Sequence, residues 1–254
     1  MSLRSLKTLN DATLNATDGL IGRVESVLFD DWNWTVRYLL VDTGTWLSGR
    51  LVLIAPEMVD KAITDTGTID VRLTRQQIED SPPVETDAPV SMQTLVATHD
   101  HYGWSEYWAG WPGFGMPMVA PIPVVVDQRP DDAPLDEEGD SDPHLHSTRD
   151  VIGYRIHARD DEVGHVDDLI ADTDDWTVRY LIVDTRNWLP GRKVILSPRW
   201  VNGFSYSRQK AYVDLGRSEI EKSPEFDPST PVNREYEERL FDYYGRPAYW
   251  EDSS

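Results

Sequence analysis

The sequence predicts a mainly β protein: two tandem small β-barrels, each followed by short C-terminal helical segments. Three observations lead there. "WTVRYLLVDTGTWLSGR" at 34–50 returns as "WTVRYLIVDTRNWLPGR" at 176–192 with 13 of 17 positions identical, where unrelated stretches share about one. A shift of 142 residues aligns 16–108 with 158–250 without a gap, and 35 of those 93 positions are identical. Two units of that length read as paired domains, because a solenoid needs three or more short repeats. Within each unit the apolar pattern is that of short strands bounded by turn residues.

The elements follow in order. "IGRVESVLFD" and "VGHVDDLIAD" open each unit, and their apolar spacing slips between Val24 and Val27 and between Val166 and Leu169, as a β-bulge causes. Acidic turns, "DDWNW" and "DTDDW", lead into "VRYLLVD" and "VRYLIVD". These next strands are apolar on both faces, Tyr38 and Leu40 on one and Leu39 and Val41 on the other, so each must be covered on both sides. Ser48-Gly49 and Pro190-Gly191 supply turn chemistry for hairpins into "RLVLI" and "RKVIL". A last strand is expected at "IDVRL" and "AYVDL". Thr74 with Gln77 has the spacing of a helix capping box; Gly216 stands where the second unit would need the Thr. Ser81-Pro82 and Ser223-Pro224 stop this short helix. A second helical segment, 95–101 and 237–243, ends at Gly103 and Gly245 as left-handed caps.

Between the units the chain changes character. It runs first through Gly, Pro and aromatics, then through 127–142 with eight acidic residues and one Arg, a composition that favours a solvated linker. The expected boundaries are therefore 1–108 for the first repeat and its tail, 109–147 for the linker, and 148–254 for the second repeat and its tail. Strands that need cover on both faces suggest that the two barrels share buried surface, within one chain or in a homodimer. A piece cut at Thr148 is then expected to be less stable or to dimerise.

Composition narrows the function classes. There are 45 acidic and 24 basic residues, a net charge of −21, which opposes direct contact with nucleic acid or anionic lipid and welcomes a basic protein partner. The absence of cysteine excludes disulfides and thiolate metal sites and suits a cytoplasmic home. The first twenty residues lack the apolar core of a secretory signal. "MVAPIPVVV" is far shorter than the roughly 20 residues of a membrane span.

In "DGLIGRVESVLFDDWNWTVRYLLVDTGTWLSGRLVLIAPEMV" and "DEVGHVDDLIADTDDWTVRYLIVDTRNWLPGRKVILSPRWV" a Gly-initiated bulged strand, an acidic turn, a V-x-Y-L-x-V-D strand and a hairpin into V-x-I-x-P follow one another. This pattern resembles the PRC-barrel family over about 70 residues of each copy. The resemblance implies a small six-stranded barrel that acts by binding other proteins, with no family-wide catalytic residue to carry over. Relatives include the cytoplasmic domain of the photosynthetic reaction-centre H subunit and a ribosome-maturation factor. The expectation from the sequence is two barrels without the N-terminal anchor of the first kind or the partner domain of the second.

Candidate chemistry is sparse. Asp172, Asp174 and Asp175 could face a Ca²⁺ ion, but the first copy has Asp30, Trp32 and Asn33 there, and the Gly and distal Glu of a calcium loop are missing. His99 and His101 align with Phe241 and Tyr243 and read as packing residues. His144 and His146 fall in the acidic linker and read as solvated. No nucleophile elbow or phosphate loop occurs, so the expectation is a non-enzymatic binding or adaptor module without metal or cofactor. The alternatives are a ribosome-associated role through a basic ribosomal protein, a reaction-centre-associated role and a small metal-dependent enzyme. The candidate interaction surface is aromatic: Trp104, Tyr107, Trp108, Trp111 and Phe114 after the first copy, and Tyr244, Tyr249 and Trp250 after the second. The competing expectation is that each tail wraps across its own barrel and covers the outer face of the doubly apolar strand.

Overall fold

The computed structural model describes residues 2–60, 67–84, 90–108, 144–185 and 192–251. The first half holds β1 (Leu3–Ser5), β2 (Thr13–Ala16), β3 (Gly19–Asp30), β4 (Thr35–Asp42), β5 (Leu51–Ile54), β6 (Thr68–Asp70), α1 (Arg75–Glu79) and α2 (Met92–Tyr102). The second holds β7 (Leu145–Ser147), α3 (Thr148–Val151), β8 (Arg155–His157), β9 (Glu162–Asp172), β10 (Thr177–Asp184), β11 (Lys193–Leu196), β12 (Val201–Ser205), β13 (Lys210–Val213), α4 (Arg217–Lys222) and α5 (Arg234–Tyr244). The protein is mainly β. Where two tandem barrels are expected, the described strands join in one curled, mixed sheet in the order β12-β13-β8-β9-β10-β4-β3-β2-β6, with β1, β11, β5 and β7 attached to β9, β10, β4 and β3.

Long paired strands are the spine of each half. β3 pairs antiparallel with β4, and β9 with β10. Each pair has a register slip where the sequence spacing slips, between Val24 and Ser26 and between Val166 and Asp168. A second slip, which the apolar pattern does not signal, leaves Arg37 and Arg179 as the extra residues of β4 and β10. A bulge bends the strand and re-aims the side chain it carries, and both arginines are used in that way.

Glycine is required at the start of the first bulge. A Cβ on Gly22 would stand 1.9 Å from the Asp42 carbonyl oxygen, and one on Gly164 would stand 2.1 Å from that of Asp184. Gly164 also has φ +68°, a region that non-glycine residues avoid.

The two halves meet about a pseudo-twofold axis. Trp34 and Trp176, at the ends of the two acidic turns, adopt left-handed conformations with φ 55° and 58°. This turns each carbonyl toward the other hairpin: Val36 N donates to Trp176 O at 2.8 Å, and Val178 N donates to Trp34 O at 2.6 Å. Thr35 and Thr177 face each other across the axis.

Short strands are exchanged around this joint. β1 crosses to the second half and pairs with β9, Leu3 opposite Asp172 and Ser5 opposite Ile170. β7 crosses to the first half and pairs with β3, Leu145 opposite Asp30 and Ser147 opposite Leu28. The 142-residue shift maps one set of pairs onto the other, and the strands read "LRS" and "LHS". Side chains tie both down. Ser5 Oγ donates to Asp168, and Ser147 Oγ lies 2.7 Å from Ser26 Oγ. The expected linker therefore gives way to ordered structure before Thr148, because 145–147 completes the sheet of the other half.

The doubly apolar strand is covered as its pattern requires. Leu39 and Val41 join the main core with their second-half counterparts. Tyr38 sits on the other face in a cluster with Leu28, Leu53, Val84, Leu95 and Trp108, so α2 and the tail behind it supply the cover.

Two predictions follow from this construction. Gly22→Ala is expected to lower stability by more than about 2 kcal/mol in urea unfolding, because backbone must move to admit the methyl group. A fragment of 144–254, which keeps β7, is expected to dimerise by placing that strand on a second copy's β9, whereas one beginning at Thr148 lacks the strand and is expected to remain largely monomeric and less stable; light scattering after size exclusion distinguishes them.

Candidate functional site

A buried phenol needs a hydrogen-bond partner, and each half provides one differently. Tyr38 of β4 is 1% exposed, and its Oη lies 2.5 Å from His99 Nε2 on α2. Tyr180 of β10 is equally buried, and its hydroxyl donates to Glu237 Oε1 on α5 at 2.6 Å. Tyr249 donates to the same oxygen at 3.0 Å, and Arg234 stands 3.3 Å from the other carboxylate oxygen.

Both helices are held by the same devices. Ser91 and Asn233 cap the first turns through side-chain oxygens, and Gly103 and Gly245 close the last in left-handed conformations. Positions four apart share a helix face. The first half uses Leu95 and His99 where the second uses Glu237 and Phe241, so the polar partner has moved by one turn and an apolar residue has moved the other way. Aligning His99 with Phe241 revealed packing but hid the hydrogen bond. Its signal was the simultaneous change at 95 and 237.

Burial lowers the His99 pKa from its ordinary value, with weaker opposing contributions from the backbone near Trp104. Burial, then the Glu237 hydrogen bond, raises that of Tyr180. His99 is therefore neutral near pH 7.

The bulged arginines lead to the aromatic tails. Arg37 Nε donates to Asp30 Oδ2 at 2.6 Å, and its guanidinium lies 4.3 Å from the Tyr107 ring centroid. Arg179 pairs with Asp175 and lies 4.6 Å from the Tyr249 centroid. Each tail thus folds back over its own half on a cation–π contact.

Beside Tyr107 the two halves differ. In the first, a cleft of about 690 Å³ is walled by Arg37, His99, Trp104 and Tyr107, by Glu57, Asp60 and Arg72, and by the turn 173–176 of the second half. In the second half, Trp200 replaces Met58 and is 3% exposed. Its ring lies 4.4 Å from Tyr244 and 5.6 Å from Phe241, with Arg246, the counterpart of Trp104, 5.7 Å away. Trp200 thus packs on Tyr244 as Trp104 stacks on Tyr102 in the first half, with ring centroids 4.3 Å apart there.

The candidate aromatic residues separate accordingly. Trp104 and Tyr107 line the cleft. Trp108 is 4% exposed inside the cluster around Tyr38. Tyr244, Tyr249 and Trp250 pack against the second-half core. Trp111 and Phe114 lie outside the described residues.

The acidic turns are tied to the chain's own donors. Asp30 accepts from Asn33 N and Arg37, and Asp172 accepts from Ser2 N and Asp174 N. Among the described residues no group of three His, Cys, Asp or Glu side chains is arranged to hold a metal ion. His144 and His146, read from sequence as solvated linker residues, instead belong to the exchanged-strand joint, where both approach Asp31.

The second half begins with a crossing strand, runs through the bulged hairpin, and closes with β13 and a short helix. Residues 143–220 match the PRC-barrel domain family. The PRC-barrel match takes in β7 through β13 and the start of α4, so the matched segment includes the strand given to the other half. Helix α5 and its aromatic tail lie beyond the PRC-barrel segment. No curated protein matches the chain. Among the described residues no helix is long and apolar enough to cross a membrane.

The exchange of partners around the tyrosines is testable. His99→Phe strands the Tyr38 hydroxyl and is expected to cost about 1–3 kcal/mol. Adding Leu95→Glu, which reproduces Glu237 and Phe241, is expected to recover most of that loss in urea unfolding. The pH dependence has a definite sign. Because the folded-state pKa of His99 is lowered, the unfolded chain takes up its proton first as pH falls below about 6.5. The stability tied to neutral His99 is thus complete above that value and fades with acidification, and the double variant is expected to lose this contribution.

Proposed function

We propose that the chain is a non-enzymatic protein-binding module made of two PRC-barrel copies, acting in the cytoplasm through the first-half cleft on a basic segment of a partner protein. One observation carries the assignment: beside the first tail lies a cleft walled by Arg37, His99, Trp104 and Tyr107 and by the turn 173–176 of the second half. Concave surface walled by Trp, Tyr and Arg is the material of interface hot spots. The charge of −21 and the exposed Glu57, Asp60, Asp174 and Asp175 at the rim favour approach of a cationic segment. The gap-free alignment of 16–108 with the second repeat supports a second copy of the domain, and the lack of cysteine suits a reducing compartment.

The test is capture of partners on immobilised full-length protein at low and high salt, comparing wild type with two variants. Glu57→Lys with Asp60→Lys reverses the charge of the rim and is expected to abolish capture of a basic segment. Trp104→Ala with Tyr107→Ala is expected to weaken it at least tenfold, since hot-spot aromatics contribute about 2 kcal/mol or more each. Capture unchanged in both would overturn the cleft assignment; turnover of a small molecule by the wild type that Trp104→Ala with Tyr107→Ala eliminates would replace the binding role with an enzymatic one.

A further inference from the structure

The two exchanged-strand joints share a backbone plan but differ in chemistry. At the joint between β7 and β3, the Asp31 amide donates to the His144 carbonyl at 3.0 Å. Asp31 Oδ1 lies 2.8 Å from His144 Nδ1, and its Oδ2 lies 3.0 Å from His146 Nε2. The three side chains are largely withdrawn from solvent, with 15% of Asp31, 17% of His146 and 31% of His144 exposed. At the joint between β1 and β9 the same positions hold Thr173, Ser2 and Arg4. There the Thr173 amide and hydroxyl both donate to the Ser2 carbonyl, at 2.9 and 3.1 Å. The backbone link is common to both joints, and the histidine–carboxylate cluster is an addition to one.

We propose that Asp31, His144 and His146 form a pH-operated clasp that tightens β7 on β3 when the imidazoles are protonated and slackens it as they lose their protons. The two contacts differ in kind. His144 keeps a hydrogen bond to Asp31 in either charge state, provided its proton sits on Nδ1. His146 Nε2 is close to the carboxylate but lacks hydrogen-bond geometry, so its attraction depends on charge. A partly buried carboxylate that loses its cationic neighbours is left poorly compensated. Consistent with this, the histidines hold the Asp31 carboxyl well below the usual carboxylate range although desolvation, the largest single influence, pushes it upward.

The surroundings combine a second carboxylate with aromatic rings. Asp150 of α3 is the second carboxylate that interacts with His146. The Phe204 ring lies 4.8 Å from His146, and Phe29 lies 5.7 Å away; Trp32 meets His144 edge-on at 5.4 Å. The nearby cation, Arg149 of α3, is engaged with Asp11 and Glu25. The cations of the clasp are therefore the two imidazoles themselves. The sign of the clasp is opposite to that of His99, and a local measurement is therefore needed rather than a melting temperature.

The test is amide hydrogen exchange on the full chain at pH 5.5 and 8.0, corrected for intrinsic rates. Protection at 28–31 and 145–147 is expected to fall roughly three- to tenfold at the higher pH, while 3–5 and 170–173 stay level. Replacing Asp31→Thr, His144→Ser and His146→Arg together installs the residues of the other joint and is expected to remove the response. Asp31→Asn alone, which keeps the backbone contacts, is expected to do the same and serves if the triple variant does not fold. Equal protection at both pH values in the wild type, or a response that survives these variants, would overturn the clasp. Neither result bears on the proposed cleft, whose test is partner capture.

Discussion

Everything in this molecule depends on the reciprocal joint between its halves. Two backbone hydrogen bonds, Val36 to Trp176 and Val178 to Trp34, join the hairpins head to head, and two short strands cross in opposite directions to complete the other half's sheet. An unpaired strand edge in an apolar setting leaves backbone donors and acceptors unsatisfied. Each half supplies the strand that the other lacks, so the repeats are coupled through hydrogen bonding as well as packing. The left-handed conformations of Trp34 and Trp176, unusual for bulky residues, belong to this arrangement, because they aim the carbonyls across the axis.

A symmetric scaffold makes its departures from symmetry informative. The buried tyrosines are satisfied from helix positions one turn apart. Trp200 packs on Tyr244 where Trp104, from the tail, stacks on Tyr102. A neutral threonine–serine contact in one joint becomes a histidine–carboxylate cluster in the other. In each comparison the backbone is the control, so the difference belongs to the side chains.

Much of this was legible residue by residue. Val24 and Val27 betrayed one bulge, Thr74 and Gln77 a capping box with both of its hydrogen bonds, and Gly103 and Gly245 two left-handed caps. Other features left little trace. Arg37 and Arg179 interrupt strands that look regular, because a bulge that inserts a polar residue between apolar ones imitates ordinary alternation. His144 and His146 were hidden by the acidic sequence before them, whose composition suggests solvent.

By itself, the sequence determined the local structure: strand periods, turn residues, caps and a repeat whose alignment needs no gap, since these depend on neighbours within a few residues. Only the tertiary structure decided that β1 and β7 trade places, that the doubly apolar strand is covered by its own half's tail, and that one half leaves a cleft. A three-residue strand such as "LRS" or "LHS" has too little periodicity to name its partner. That choice was made by distant edges, brought within hydrogen-bonding reach when the two hairpins met.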